Sequence, residues 1–354
     1  MNNTYIIAEI GINYNDSLEN CYKLIDVAKE ADCNAAKFQV FSAKNLYPQS
    51  AGSLDWKDNE KEYSYDIYDA VKKFELPIEW VDQLISYCNS KNIDFMSSVF
   101  DIEGLNIMVE KGMKSIKLSS YTITNIPLIE AAAKTKIPII MSTGGASLGE
   151  IEEAINTVHK YHNDLTILHC SIQYPTKLED TNMGVLNTFK IAFPKVKTGY
   201  SDHTKEVSDA PIQAVYLGSS VIEKHITLNR KMIGPDHFFA LEPEQLKKMV
   251  KDIRKAEKAY KNNEYKIDTL LYGNTEKKCQ THEQYLRDFC YMLLYAKKSF
   301  KKGEVISYKD ISILRPGKKD KGLEPKYLKL FQNQTITASK DISFEDPITW
   351  ESIL

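Results

Sequence analysis

His203 and His225 each follow a short apolar, strand-like run, Val196–Tyr200 and Val221–Ile222. The helical pattern Val207–Leu217 between them has the length that joins two parallel strands. Two imidazoles at the ends of neighbouring parallel strands point into one crevice. Nitrogen donors there suit Mn²⁺, Fe²⁺, Co²⁺ or Zn²⁺ better than Mg²⁺ or Ca²⁺. Two protein ligands would leave positions open for water and substrate, as catalysis at a metal requires. The same spacing also suits histidines that merely satisfy hydrogen bonds in a core, and spacing alone does not separate the two.

Those strands end a longer series. From Tyr5 to about Tyr260, strand-like and helix-like segments alternate without a break. The strands fall at Tyr5–Glu9, Ala35–Val40, Ile93–Ser98, Ser115–Leu118, Ile137–Ser142, Leu165–Cys170, Val196–Tyr200 and Val221–His225. Amphipathic stretches such as Leu18–Ala31, Ile78–Lys91 and Leu148–Lys160 lie between them, Pro243–Ala259 closes the series, and Met183–Ala192 is the weakest helix. Eight strands, each followed by a helical segment, predict a (β/α)₈ barrel, whose chemistry collects at the carboxyl ends of the strands. Those ends carry Glu9, Lys37, Gln39, Ser98, Lys117, Ser120, Ser142, Ser201, His203, Glu223 and His225. A lysine at the end of an apolar strand is costly unless an anion answers it. Lys37 and Lys117, with the hydroxyls of Ser98, Ser120, Ser142 and Ser201, therefore predict a cradle for a phosphate plus a carboxylate. One serine alone would more simply cap a turn; six such groups at one mouth are harder to explain that way.

The remaining composition mainly excludes. In 354 residues, 46 Lys+Arg against 48 Asp+Glu give a net charge of −2, so no global field points to nucleic acid or an anionic membrane. No apolar run has membrane-spanning length, and MNNTYIIAEIG lacks signal-peptide anatomy. Six cysteines without CxxC spacing read as reduced thiols of a cytoplasmic protein. Arg230, Arg254, Arg287 and Arg315 are the only arginines.

Phe41–Leu76, acidic and Tyr-rich, is too long for an ordinary βα loop and reads as a substrate-covering flap rather than a surface excursion. Residues 263–286 have no clear period and read as a linker. Short β-type runs fill 287–354, where AKKSFKKGEVI and ASKDISFEDPI look like two copies of one unit. A domain so small has a thin core, and its Arg315 stands in a rigid Arg-Pro-Gly turn.

The motifs IIAEIGIN (Ile6–Asn13), AAKFQ (Ala35–Gln39), IKLSSYTITNIPLI (Ile116–Ile129), PIIMSTGG (Pro138–Gly145) and LHCSIQYPT (Leu168–Thr176) run through the barrel. GYSDHT (Gly199–Thr204), VIEKHITL (Val221–Leu228), GPDHFFALEP (Gly234–Pro243) and LRPG (Leu314–Gly317) continue the series. Together they resemble the sialic acid synthases, meaning N-acetylneuraminate synthase and its legionaminic and pseudaminic acid relatives. The resemblance implies a barrel over 1–262, a linker over 263–286 and an antifreeze-like (SAF, β-clip) domain over 287–354. It also implies condensation of phosphoenolpyruvate with N-acetylmannosamine or 2,4-diacetamido-2,4,6-trideoxymannose, using Mn²⁺, Co²⁺ or Mg²⁺. The phosphoenolpyruvate site then falls on Lys37, Ser98, Lys117, Ser120, Ser142 and Ser201, and the metal ligands on His203 and His225. Acceptor contacts fall on Tyr174, Asp236 and Arg315, with Glu9 and Glu223 left as acid–base groups. In a domain-swapped homodimer, Arg315 would close over the second copy's barrel.

Some positions depart from the family pattern. Thr122 stands where an Asp or Glu is usual, Ile172 where an Asn or Ser is frequent, Tyr14 in place of a histidine, and Tyr291-Met292 in place of an Arg-Arg pair. Thr122 and Ile172 suggest an acceptor pocket less polar than the usual one, or a weakened enzyme. Two rivals stay open: a synthase for an aldose phosphate, which the scarcity of Arg disfavours, and a non-catalytic sugar- or anion-binding barrel.

Overall fold

The apolar runs of the barrel sequence need burial on both faces, and they obtain it by closing on one another. The computed structural model describes residues 3–57 and 62–353. Its strands are β1 (Tyr5–Gly11), β2 (Ala35–Val40), the hairpin pair β3 (Ser53–Lys57) and β4 (Glu62–Asp66), then β5 (Asp94–Val99) and β6 (Ile116–Leu118). There follow β7 (Ile139–Ser142), β8 (Leu165–His169), β9 (Lys197–Asp202), β10 (Val221–His225), β11 (Leu293–Ala296) and β12 (Ile311–Leu314). Strands β1, β2 and β5 to β10 form a closed parallel barrel, and each is followed by a helix of the outer ring. The weakest expected helix, Met183–Ala192, forms as Val185–Ala192. Strand β9 runs past its predicted end because Asp202 pairs with Lys224 of β10, at 2.6 Å and fully buried on the outer face. Among the described residues, no helix is long and apolar enough to cross a membrane.

Side chains alternate across a strand, so residues two apart share a face. Ile7, Ala35, Met96, Ile140, Leu168 and Val221 pack together as a plug inside the barrel. Two residues further on, the same six strands carry Glu9, Lys37, Ser98, Ser142, Cys170 and Glu223. An apolar floor thus lies directly beneath a polar layer at the mouth.

The insertion 41–76 is a platform, which corrects the expectation of a flap. Its helices Ala43–Leu46 and Ile67–Lys72 flank the β3–β4 hairpin, and residues 58–61 of the acidic run lie outside the described residues. Leu46, Tyr47, Ala51 and Ile67 form one apolar cluster with Phe100 of the barrel and with Phe289, Cys290 and Met292. The linker is not slack either: Leu271, Lys277 and Glu283 are buried, and a helix, Gln284–Cys290, crosses the expected domain boundary.

Beyond it, the two sequence copies pair as a pseudo-symmetric unit. Phe300 and Ile342 exchange both backbone bonds, at 2.8 and 2.9 Å. Gly303 N–H donates to the Ala338 carbonyl as Glu345 N–H donates to that of Ala296, both at 2.8 Å. Ala338 N–H to Glu304 and Ala296 N–H to Asp346 match likewise at 2.9 Å. The C-terminal domain docks on the barrel of its own chain: Arg315 N–H donates to the Leu46 carbonyl at 2.8 Å and Lys318 N–H to that of Ala51 at 2.9 Å. Arg315 thus lies against the barrel of its own chain. The linker is packed there too, with Leu271 buried in the barrel's apolar cluster.

The symmetry breaks at one position. Gly303 has φ 87° and its counterpart Glu345 has φ 63°, a left-handed backbone that suits glycine and strains other residues. The Glu345 carboxylate accepts from Gln49 N–H (2.7 Å), Ser50 N–H (3.0 Å) and the Ser50 hydroxyl (2.6 Å), clamping the platform. Glu345→Gly relieves about 1–3 kcal/mol of strain but removes three bonds to a charged acceptor, each about 1.5–3 kcal/mol. The bonds win. Hydrogen exchange at the Gln49 and Ser50 amides is expected to quicken about tenfold or more, with Gly303 unchanged; unaltered exchange at Gln49 and Ser50 would contradict the clamp.

Candidate active site

The polar layer is a balanced charge cluster. Lys37 Nζ lies 2.7 Å from Glu9 Oε2 and 3.5 Å from Glu223 Oε2, and Lys117 Nζ lies 3.7 Å from Glu223 Oε1. All four side chains are buried. The strand register places them: Glu9 stands opposite Lys37 and His225, Ser98 opposite Gln39 and Lys117, and Ser201 opposite Glu223. Burial alone would disfavour every charge here. It does raise Glu9 above the ordinary carboxylate range, against the pull of Lys37. It also works against Lys37, but Glu223 and Glu9 more than offset it, so that lysine stays charged. Burial lowers Lys117, and Glu223 only partly compensates. Glu223, pulled down by Lys117 and Lys37 despite its burial, remains ionised.

The predicted serines sit beside the lysines. Lys37 donates to Ser98 Oγ at 3.0 Å and Lys117 to Ser142 Oγ at 2.7 Å, while Ser201 Oγ donates to Glu223 at 3.1 Å. Ser120 departs slightly from its expected part: its Oγ accepts Gly144 N–H at 3.0 Å and meets Cys170 Sγ at 3.1 Å. Gln39, which donates to Glu9 at 2.7 Å, and Cys170 belong to this layer and were not among the expected site residues. Gln39 was visible at a strand end, but Cys170 looked like an ordinary core thiol.

The two histidines do meet. Their ring centroids are 5.6 Å apart, and the half-buried Tyr174 ring stacks on His203 at 4.2 Å. His203 Nδ1 lies 2.5 Å from the Ser171 carbonyl, which fixes the proton there and leaves Nε2 with a free lone pair. Burial pushes His203 down to about 4 and His225 well below the ordinary histidine value. Both rings are therefore neutral near pH 7, the form that binds metals. Buried Nδ1 of His225 has no hydrogen-bond partner; Asp236 Oδ2 lies 3.7 Å away. Asp236 itself is pushed up to about 7 by burial and the nearby Glu9 charge. Among the described residues, no third His, Cys, Asp or Glu completes a metal cage. The donor set fits an ion held by two imidazoles with positions left open.

Arg315 lies at the edge of this group. Its guanidinium sits over the rings of Tyr121 (4.9 Å), Phe100 (5.3 Å) and Tyr47 (5.6 Å), and its buried Nε has no hydrogen-bond partner. Tyr121 in turn faces the Tyr174 hydroxyl. A continuous path of contacts thus runs from the C-terminal domain to the imidazoles.

A model of the NeuB family matches residues 24–265. The chain is 35% identical over 352 residues to the spore coat polysaccharide biosynthesis protein SpsE of Bacillus subtilis, covering 99% of this chain and 93% of that one. The crystal structure of that protein superposes with a TM-score of 0.88, covering 99% and 95% of the two chains. It is 37% identical over 319 residues to the N,N'-diacetyllegionaminic acid synthase of Campylobacter jejuni, covering 89% and 91%. It is 31% identical over 359 residues to the pseudaminic acid synthase of Helicobacter pylori, covering 98% and 97%.

The chain belongs to the NeuB family. It is an enzyme, a synthase that forms a carbon–carbon bond.

Within a NeuB barrel, the departures noted in the sequence acquire physical meaning, and two expectations need correcting. Ile172 and Thr122 do not line an acceptor pocket. Ile172 is 0% exposed, and its side chain packs where a Cβ on Gly144 would fall, 2.7 Å from its Cγ2. Thr122 is also 0% exposed and donates to the Ser119 carbonyl of its own turn at 2.9 Å. Tyr14 is structural too: it packs on Phe38 and Trp80, and its hydroxyl donates to the Phe74 carbonyl at the end of the platform. Tyr291, in place of an Arg, holds the loop after β7 by donating to the Gly144 carbonyl at 2.6 Å. The residue that does face the mouth is Tyr121, which was not among the expected site residues.

The charge balance is testable. Glu223→Gln leaves Lys37 and Lys117 with Glu9 alone, and breaking such a buried pair costs about 3–5 kcal/mol. The thermal midpoint should fall clearly in the single variant and recover in large part in Glu223→Gln/Lys117→Met. A midpoint unmoved by the first change, or no recovery with the second, would contradict this account.

Proposed function

We propose that this NeuB enzyme joins phosphoenolpyruvate to the open-chain aldehyde of an N-acylated, mannose-configured amino sugar, giving a nonulosonic acid and phosphate. The observation that carries the reading is the pair of buried lysines, each on a serine hydroxyl, beside two neutral imidazoles at one barrel mouth. Relatives named as legionaminic and pseudaminic acid synthases support it. We take the C-terminal domain to be of the antifreeze-like type, on the pseudo-symmetric pairing of its two copies.

Enol carbon C3 of phosphoenolpyruvate attacks the aldehyde carbon, whose oxygen takes up a proton to become a hydroxyl, and the cation left at C2 takes up water and gives up a proton in turn. The C2–O bond to phosphate then breaks as the C2 hydroxyl proton leaves with phosphate, giving the 2-keto acid. Lys37 and Lys117 hold the substrate's phosphate and carboxylate and stabilise the charge that moves onto phosphate. The hydroxyls of Ser98, Ser120, Ser142 and Ser201 complete that cradle. Glu9, raised by burial, takes the proton that the entering water gives up. Glu223 stays ionised and keeps the lysines in place between turnovers. Tyr174, Asp236 and Arg315 orient the sugar. A divalent ion such as Mn²⁺ or Co²⁺, held by His203 and His225, would polarise the aldehyde oxygen.

The ring of Tyr121, which is only partly buried, gives the acceptor choice a new basis, replacing Ile172 and Thr122. An aromatic ring there favours an apolar substituent over a hydroxyl, and so the 6-deoxy diacetamido sugar over N-acetylmannosamine.

Phosphate release from phosphoenolpyruvate across a panel of sugars, with product masses, tests the reading. Release is expected with the diacetamido sugar at roughly tenfold or higher kcat/KM than with N-acetylmannosamine, and Tyr121→Ala should narrow the gap. No release with any sugar of the panel would favour a binding barrel, and a preference for N-acetylmannosamine would overturn the acceptor assignment. Chelation should abolish release and Mn²⁺ restore it. His203→Ala and His225→Ala should each lose calorimetric Mn²⁺ binding while remaining folded; undiminished activity under stringent chelation would remove the metal from the scheme.

A further inference from the structure

Glu283 belongs to neither the barrel nor the C-terminal domain, yet its carboxylate is 2% exposed and lies beside the barrel mouth. Its Oε1 accepts from Gly145 N–H at 3.1 Å and from Ile172 N–H at 3.0 Å, and its Oε2 accepts from Gln280 N–H at 2.9 Å. The first two partners sit on different loops. Gly145 follows β7, whose last residue, Ser142, holds Lys117. Ile172 follows β8 and is next to Ser171, whose carbonyl fixes the His203 ring. One oxygen atom therefore ties the loop behind the lysine–serine contact to the loop behind the imidazole.

The barrel cannot supply that tie itself. Both N–H groups lie beyond the ends of their strands, where no ladder partner remains, and buried N–H groups left unpaired are costly. The loops also touch: a Cβ on Gly145, which has φ 68°, would come within 2.8 Å of Ile172 Cδ1. The acceptor that both N–H groups find is the Glu283 carboxylate, from outside the barrel. Neighbouring residues of the same segment act in the same direction. Arg287 donates to the Gly145 carbonyl at 2.5 Å and pairs with Glu150, and the Tyr291 hydroxyl donates to the Gly144 carbonyl.

We propose that Glu283 is a positioning residue for this active site. It sets the loops after β7 and β8 relative to each other, and through them the Ser142–Lys117 contact and the His203 ring. The kinetic part of the proposal rests on the phosphoenolpyruvate reading above; the structural part does not. A purely electrostatic role is the alternative, because Lys277 is 7% exposed and Glu283 is the first of the charges that support its ammonium against burial.

Reach and charge can be separated in the full-length protein. Glu283→Gln keeps an oxygen at the Oε1 position and loses the charge; Glu283→Asp keeps the charge and is one methylene too short. Glu283→Ala loses both. The expected order of kcat/KM for phosphoenolpyruvate is parent, then Gln close to it, then Asp and Ala together, about tenfold to a hundredfold lower. A role limited to neutralising Lys277 reverses the order of Gln and Asp, and a merely structural role makes activity follow the thermal midpoint; either result overturns the proposal. Hydrogen exchange reads the same question without any substrate. The Gly145 and Ile172 amides should exchange faster in Asp and Ala than in Gln and the parent, and equal exchange in all four overturns the tie. A parent that releases no phosphate with any sugar refutes the substrate reading only, and the exchange comparison then decides the role of Glu283.

Discussion

Four charges buried at one barrel mouth constrain everything around them. Lys37 and Lys117 could not remain ionised over an apolar plug without Glu9 and Glu223, and the carboxylates could not remain so without the lysines. The plug is required in turn: Ile7, Ala35, Met96, Ile140, Leu168 and Val221 keep water from entering the barrel beneath the charges. The cluster is balanced at two against two, so an incoming phosphate and carboxylate must compete with Glu9 and Glu223 for the ammonium groups. Glu9 is the partner that yields its ion pair, since it faces Lys37 alone. Glu223 is held by both lysines and by Ser201, and it stays.

This arrangement needs its walls fixed closely, and the barrel alone does not fix them. The platform of residues 41–76 rests on the C-terminal domain through Leu46, Tyr47 and Ala51, and Glu345 grips its turn. Glu345 accepts a strained backbone to do so, at the position where the other copy of the repeat uses Gly303. Observed strain in one half of a symmetric pair marks where the domain has been adapted to hold something. From the opposite side, the segment that contains Arg287 and Tyr291 holds the glycine loop after β7. The small domain thus contributes to the site largely by immobilising loops.

The barrel was legible because its signals are local and repeated. Each strand announced itself by a run of apolar residues, and the rule that chemistry collects at the carboxyl ends of barrel strands singled out Glu9, Lys37, Ser98, Ser142 and Glu223. The internal repeat was legible too, and Phe300 pairs with its counterpart Ile342. Contacts between segments distant along the chain were not. Nothing near Tyr121 in the sequence says that Arg315 will lie on its ring, nearly two hundred positions away. Ile172 and Thr122 misled for a related reason. A change of residue type at a strand end looks like a change of pocket lining, yet these two side chains turn into the packing behind the mouth. The packing of the linker was not legible either: residues 263–286 are long enough to cross to a neighbour, yet Leu271 and Lys277 are buried along their own barrel.

Arg315 shows why aromatic rings rather than acids surround the outermost cation. A carboxylate beside it would hold the guanidinium more firmly but would also neutralise it, and a ligand would then have to displace that partner. Tyr121, Phe100 and Tyr47 instead offer ring faces, each worth about 0.5–2 kcal/mol to a cation, and leave the charge unspent. The Nε of Arg315 stays unpartnered, and its side-chain hydrogen bond goes to Tyr47, a neutral phenol. The inner lysines are the opposite case, already matched by Glu9 and Glu223. The site therefore divides its cations into two kinds: a neutralised pair deep in the barrel, which must exchange one anion for another, and one at the rim held by ring faces and the Tyr47 hydroxyl, with no anion there to displace.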